Sequence, residues 1–170
     1  MPETIVSEPK SRTASRTLNV LVIDDNPADQ ELAIIYLGKA WPFNSEMAVE
    51  TAGDGIEALE KMRATKFCLI MLDWRLPRGG SGHVLREMRQ NGVLIPVVVM
   101  TGLERNQIPD NLEQDGAAYL NKDSLNASTL YCAIADALRN CRILHRPTHK
   151  PVSPIGQVLF HSHSPQTVTS

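Results

Sequence analysis

The sequence lacks any apolar run long enough to cross a membrane. Its apolar stretches, such as the one around Val97–Met100, are far shorter than the roughly 18 residues that a spanning helix needs. The first residues, Met1-Pro2-Glu3-Thr4, show no cationic run followed by an apolar segment, so no secretory signal is visible. These absences exclude an integral membrane protein and predict a cytoplasmic location without membrane contact.

The chain also lacks a basic excess and paired cysteines. Its net charge is −2, so no global positive field attracts nucleic acid, and we expect no direct nucleic-acid contact. The three cysteines, Cys68, Cys132 and Cys141, form no CxxC pair, and an odd number fits reduced thiols better than a disulfide framework. With 170 residues, the chain has room for one ordinary domain and some additional sequence.

The composition and the hydrophobic pattern of the sequence divide the chain into three parts. Residues 1–17 are polar without a hydrophobic period, which predicts a disordered leader, and residues 18–144 carry the pattern of a folded domain. Residues 145–170 are rich in proline and histidine. This last part is either a disordered tail or an arm whose Val158-Leu159-Phe160 docks on a neighbouring subunit in a homodimer. Truncation at Lys150 and light scattering distinguish the two, because an unchanged mass excludes the arm.

Within residues 18–144, short apolar runs alternate with helix-like segments. The runs begin at Val20, Met47, Phe67, Pro96 and Ala117, and helical spacing follows each of them, including a short helix near Asn106–Gln114. Such βα repeats favour a parallel sheet with helices on both faces. We therefore predict a three-layer α/β fold whose β-to-α loops lie at the carboxyl edge of the sheet, where sites form in open sheets of this kind.

Residues with chemistry stand where these strands end. They are Asp24 and Asp25 after the first strand, Asp73 after the third, Thr101 after the fourth and Lys122 after the fifth. Carboxylates that meet at one edge repel one another, and a Mg²⁺ ion held by oxygen ligands removes that repulsion. A carboxylate beside such an ion can attack phosphorus, while a lysine and a hydroxyl bind the phosphoryl oxygens. The pattern predicts a phosphoryl-transfer site, although Asp24-Asp25 alone would indicate only a turn and a helix cap.

Four segments resemble the motifs of the response-regulator receiver domain of two-component signalling. They are Val22–Pro27, Leu72–Pro77, Val98–Gly102 and Tyr119–Asp123, in the order and spacing of that family. The resemblance covers roughly residues 18–144 and implies a receiver domain there. It also implies a flavodoxin-like, doubly wound (βα)5 sheet with strand order 2-1-3-4-5.

The resemblance implies a phosphoacceptor and a set of metal ligands. Asp73 would accept the phosphoryl group. Asp25 would bind Mg²⁺ directly, with Asp24 nearby acting mainly through water. Asp73 itself and the backbone carbonyl of Arg75, two residues further on, would complete the protein ligands.

The same resemblance implies a switch. Thr101 would form a hydrogen bond with the phosphoryl group after transfer, and Lys122 would pair with it. Tyr119 stands where the family has an aromatic residue that turns inward when the threonine moves. That movement would change the surface that a partner recognises.

Some positions depart from the family pattern. The spacing to Gly82 suggests one inserted residue within Arg78–Ser81, which should reshape the loop without displacing the acceptor. Asp123 replaces the proline that frequently follows the lysine. Arg75 and Leu103 flank the path of hydrolytic water in this family, and neither readily orients a water, so we expect slow loss of the phosphoryl group.

The implied function is that of a stand-alone response regulator and not of an enzyme. A sensor histidine kinase would phosphorylate Asp73, and the output would be contact with a downstream protein or onward phosphorelay. The segment Asn26-Pro27-Ala28-Asp29 resembles receivers that are paired with phytochrome-type kinases. The alternative is a receiver-like scaffold that binds partners without phosphorylation. A metal-dependent phosphatase would typically need an acid two residues after its nucleophile, where Arg75 stands.

Overall fold

Strands and helices alternate along the part of the chain that the computed structural model describes, residues 17–109 and 111–144. The strands are β1 (Leu18–Ile23), β2 (Met47–Ala52), β3 (Leu69–Asp73), β4 (Val97–Thr101) and β5 (Ala117–Asn121), and the α-helices are α1 (Pro27–Ala40), α2 (Gly55–Ala64), α3 (Ser81–Gln90) and α4 (Ala127–Leu144). No helix in these residues is long and apolar enough to cross a bilayer. The predicted leader, apart from Thr17, and the predicted tail with its arm lie outside the described residues.

The strands form one parallel sheet in the order β2-β1-β3-β4-β5, which confirms the predicted topology. Val22 of β1 lies beside Thr51 of β2 on one side and beside Met71 of β3 on the other. Asp73 at the end of β3 is paired in turn with Met100 of β4. Because these strands are parallel neighbours, the residues that follow them meet at one edge of the sheet.

The two faces of the sheet pack against different helices. Successive strand residues point to opposite faces, so each strand contributes to two cores. On one face, Ile70 belongs to a cluster with Leu85 and other residues of α2 and α3. On the other face, Met71 belongs to a cluster with Leu37 of α1 and Ile134 of α4. These two cores confirm the three-layer α/β prediction.

The prediction of a short helix near Asn106–Gln114 is wrong. The described residues there form one 3₁₀ turn, Arg105–Gln107, and a series of turns at 111–116. Pro109 explains the difference, because it has no N–H to donate and disfavours a helical conformation of the residue before it. Ile108 is extended, with φ −110° and ψ 144°. The apolar spacing in this segment therefore reflects the burial of Ile108 and Leu112 and not a helix.

Two residues of helix α1, one buried and one exposed, allow the packing of the helix against the core to be tested. Leu37 is fully buried, whereas Ile35 on the same helix is 48% exposed. We expect Leu37→Ala to lower the free energy of unfolding by about 2–5 kcal/mol, through lost apolar burial and a residual cavity. Ile35→Ala should change it by less than about 1 kcal/mol. Urea unfolding of both variants measures the difference, and equal losses would contradict the described packing of α1.

Candidate functional site

The predicted site residues meet in one cleft at the carboxyl edge of the sheet. Asp24 and Asp25 follow β1, Asp73 ends β3, Thr101 ends β4, and Lys122 begins a 3₁₀ turn directly after β5. The cleft has a volume of about 460 Å³, and its lining adds Asn26, Asp29, Arg75 and Gly102 to these five residues. The sheet thus joins Lys122 to Asp24, although 98 positions separate them in the sequence.

Three carboxylates form a compact cluster in this cleft. Asp24, Asp25 and Asp73 each offer one oxygen, and these oxygens lie within 4.8 Å of one another. Asp24 and Asp73 are buried, whereas Asp25 is exposed. Carboxylates this close repel one another unless a cation or a proton compensates their charge. Because hard carboxylate oxygens are the ligands that Mg²⁺ takes in proteins, the donor set fits that ion.

The Lys122 ammonium is held by three carboxylates. Its Nζ donates to Asp24 Oδ2 at 2.7 Å and to Asp29 Oδ2 at 2.8 Å, and it lies 3.2 Å from Asp73 Oδ1. Burial disfavours the charged form, but the hydrogen bonds to Asp24 and Asp29 outweigh this cost and raise the pKa of Lys122 above its ordinary value. The lysine is therefore a permanent cation at the cleft.

Asp73 is a buried acid with polar contacts on both its side chain and its backbone. Burial raises the pKa of its carboxyl above the ordinary value, although the charge of Lys122 acts in the opposite direction. Asp73 Oδ2 accepts a hydrogen bond from the Arg75 backbone N–H at 3.1 Å. The buried Ser81 hydroxyl donates to the backbone carbonyl of Asp73. These contacts fix the backbone and side chain of a desolvated carboxylate that faces the cleft.

Thr101 and Tyr119 are connected through the backbone of one residue, Leu103. The fully buried Thr101 accepts a hydrogen bond from the Leu103 N–H at its Oγ1, at 3.1 Å. The Tyr119 hydroxyl donates to the Leu103 carbonyl at 2.7 Å, and the Arg105 guanidinium lies 6.0 Å from the Tyr119 ring centre. The two predicted switch residues therefore contact the same residue from either side.

The loop after Asp73 is anchored to the start of α2. Arg78, in the segment with the predicted insertion, forms an ion pair with Asp54, and its carbonyl accepts from the Gly55 N–H at 3.0 Å. Asp54 also caps α2, since its Oδ1 accepts from the Ile56 and Glu57 N–H groups at 2.9 Å. The hydrogen bond from the Glu57 N–H, with that from Arg78, lowers the pKa of Asp54.

Sequence reasoning also missed two residues that hold the site. Asp29 in the first turn of α1 binds Lys122, and Gln30 donates from Nε2 to the backbone carbonyls of Asp24 at 2.6 Å and Ala52 at 3.3 Å. The available signal was that α1 begins three residues after Asp24, at Pro27. Side chains of its first turn must then lie near the end of β1.

Comparison with known proteins agrees with this geometry. The sequence profile of the response regulator receiver domain family matches residues 20–135. The autoinducer 2 sensor kinase/phosphatase LuxQ of Vibrio parahaemolyticus is 29% identical over 121 residues, which cover 71% of this chain and 14% of that protein. The chain spans between 14% and 31% of the length of three such curated relatives.

Solved structures share the fold. The signal receiver domain of a putative Luxo repressor protein from Vibrio parahaemolyticus is 26% identical, with a TM-score of 0.60, over 76% of this chain and 95% of that chain. The bacteriophytochrome response regulator AtBRR is 26% identical, with a TM-score of 0.59, over 72% of this chain and 93% of that chain. A doubly wound parallel sheet with acids and a lysine at its carboxyl edge is the architecture of a signalling receiver. The chain belongs to the response regulator receiver domain family of two-component signalling.

The contact between Arg78 and Asp54 can be separated from the cap that Asp54 provides. Asn retains an oxygen that can cap a helix but loses the charge, whereas Ala loses both. We expect the melting temperature to fall in the order wild type, Asp54→Asn, Asp54→Ala. Because the folded-state pKa of Asp54 is lowered, its ionic contribution is present above the ordinary aspartate pKa and is lost on acidification through the lowered value. The gap between wild type and Asp54→Asn should therefore narrow at acid pH, and a constant gap would contradict any contribution of the Asp54 charge, to the cap and to Arg78 together.

Proposed function

We propose that Asp73 accepts a phosphoryl group from the phosphohistidine of a sensor histidine kinase. The observation that carries this proposal is the convergence of Asp24, Asp25, Asp73 and Lys122 at one sheet edge. An Asp73 carboxylate oxygen attacks the phosphorus, so that a P–O bond forms and the P–N bond breaks. The leaving nitrogen keeps the bonding electron pair, and a ring protonated on its other nitrogen departs as neutral imidazole.

The acidic cluster would hold Mg²⁺. Asp25 and Asp73 would bind the ion directly, Asp24 would act mainly through water, and the backbone carbonyl of Arg75 would be the third protein ligand, as the resemblance implies. When bound, the ion would neutralise charge on the transferring phosphoryl oxygens. The exposure of Asp25 leaves one side of the cluster open to solvent and to an incoming phosphoryl group.

Two side chains would bind the phosphoryl group once it is on Asp73. The Lys122 ammonium already lies 3.2 Å from Asp73 Oδ1, so it is placed to pair with a phosphoryl oxygen. The Thr101 hydroxyl would donate to another oxygen by turning toward the cleft. Because Leu103 bonds to both Thr101 and Tyr119, that rotation would disturb Tyr119 and the surface beside β5.

The partners follow from this role. A sensor histidine kinase would supply the phosphoryl group, and a downstream protein would bind the altered surface. The similarity to a bacteriophytochrome response regulator supports a phytochrome-type kinase as the donor. The cytoplasmic location, the action without an attached output domain and the homodimer stay predictions.

Phosphorylation at Asp73 is tested with labelled acetyl phosphate and Mg²⁺. We expect the wild type to form an acid-stable, alkali-labile acyl phosphate and Asp73→Asn to show only background label, because an amide is not a nucleophile here. Asp136→Asn is the control, since that carboxylate is 51% exposed on α4 and pairs with Arg139. An unlabelled wild type would favour the scaffold alternative, and label retained in Asp73→Asn would place the acceptor elsewhere.

The lifetime of the acyl phosphate tests the role of the Arg75 side chain. Arg75 is exposed and lines the cleft two residues after Asp73, where a bulky guanidinium hinders a water on the phosphorus. We expect Arg75→Asn to shorten the lifetime by up to about tenfold, equal to about 1.4 kcal/mol of barrier. Arg86→Asn on α3 is the matched control and should leave the decay unchanged. A lifetime of Arg75→Asn equal to that of the wild type would contradict this role.

A further inference from the structure

Asp29 stands apart from the acids that the proposed function uses. Lys122 Nζ contacts three carboxylates, and two of them, Asp24 and Asp73, belong to the metal-binding cluster. The third, Asp29 at 2.8 Å, does not belong to that cluster. Its side chain is 38% exposed, against 1% for Asp24 and 6% for Asp73, so it lies on the solvent side of the ammonium.

The local structure of α1 makes this contact available. Asn26 caps the helix, since its Oδ1 accepts from the Ala28 N–H at 3.0 Å, and its own N–H donates to Asp24 Oδ1 at 3.0 Å. Asp29 is therefore not needed to complete the cap. Its carboxylate in the first turn is free to project across the cleft to the ammonium, 93 positions away in the sequence.

The Lys122 ammonium and a divalent cation would bind carboxylates of the same two residues, Asp24 and Asp73. Lys122 neutralises part of the charge of Asp24 and Asp73, so a cation that binds the cluster must weaken these two contacts. A lysine that lost both partners in a half-buried cleft would be poorly compensated. Asp29 supplies the anion that remains when Asp24 and Asp73 are engaged.

We propose that Asp29 is a positioning residue that holds the Lys122 ammonium while the acidic cluster binds Mg²⁺. This inference rests on the proposed metal site. It makes Asp29 a partner of the cation-bound state, so that loss of Asp29 strengthens the competition between Lys122 and Mg²⁺. Asp29 acts through Lys122 and not as a metal ligand or a phosphoacceptor.

A purely structural role for Asp29 makes a different prediction. An acid in the first turn of a helix also stabilises the helix through its dipole, and this effect does not depend on Lys122. General attraction of Mg²⁺ to negative charge is likewise independent of the lysine and falls with salt. If the effect of Asp29 on Mg²⁺ binding depends on Lys122, the positioning role is distinguished from the helix-dipole effect and from the general attraction of Mg²⁺.

The experiment measures Mg²⁺ binding without phosphorylation. The midpoint of thermal unfolding is followed against Mg²⁺ concentration at constant ionic strength, and the rise in stability gives the dissociation constant. The variants are Asp29→Asn, Asp29→Glu as the conservative rescue, and Glu31→Gln as the control, because Glu31 is an exposed acid two residues along α1. Each charge-removing change is also made with Lys122→Met, or with Lys122→Gln where the methionine variant does not unfold cooperatively.

We expect Asp29→Asn to raise the dissociation constant for Mg²⁺ about two- to fivefold, the size of a partly exposed ion pair, and Glu31→Gln to change it less. Asp29→Glu should restore most of the affinity. Without Lys122, Asp29→Asn should have no more effect than Glu31→Gln.

The outcomes separate failure of this inference from failure of the proposed function. Equal effects of Asp29→Asn and Glu31→Gln, or the same effect of Asp29→Asn with and without Lys122, would overturn the positioning role alone. A wild-type chain whose unfolding midpoint does not respond to Mg²⁺ would overturn the proposed metal site and this inference together. Tighter Mg²⁺ binding by Asp29→Asn would also contradict the inference.

Discussion

The whole site depends on one ammonium group held among buried carboxylates. An ionised acid loses much of its hydration when it is buried, and two adjacent acids also repel each other. The Lys122 ammonium lies within 3.2 Å of a carboxylate oxygen of both Asp24 and Asp73 and offsets part of these costs. The acids in turn favour the charged form of the lysine, which burial opposes, and they raise its pKa above the ordinary value. These charges stabilise one another, and the sheet places the residues that carry them together.

The parallel sheet is what allows residues from distant parts of the chain to share this cleft. Neighbouring strands β1, β3 and β4 end within one residue of the level of the adjacent strand, and each contributes its last or next residue to the site. Helices cover both faces of the sheet, which keeps water from the strands and leaves the carboxyl edge open. Stability and chemistry therefore use the same strands, with apolar residues along their length and polar residues at their ends.

The sequence was informative where burial and chemistry leave a local pattern. Buried parallel strands appear as continuous apolar runs, so the strands and the acids that end them could be predicted, and Asp73 lies where the run before it indicates. The segment near Asn106–Gln114 was misread because apolar spacing and Pro109 give opposite indications there. The contacts of Asp29 with Lys122 and of Arg78 with Asp54 depend on how side chains from separate elements meet, and no local pattern records that.

The two backbone hydrogen bonds of Leu103 determine how a change at the cleft could be observed. Its N–H is shielded by Thr101 and its carbonyl is bound by the Tyr119 hydroxyl. A single residue is thus bonded to both side chains, and its amide proton would exchange with solvent faster whenever the threonine hydroxyl turns away. No α-helix is described between β4 and β5, and the described connection between these two side chains is the backbone of Leu103 with its two flanking peptide groups. A change at the Thr101 side chain would therefore reach Tyr119 through a short stretch of backbone, and its effect on the surface would be local to these residues.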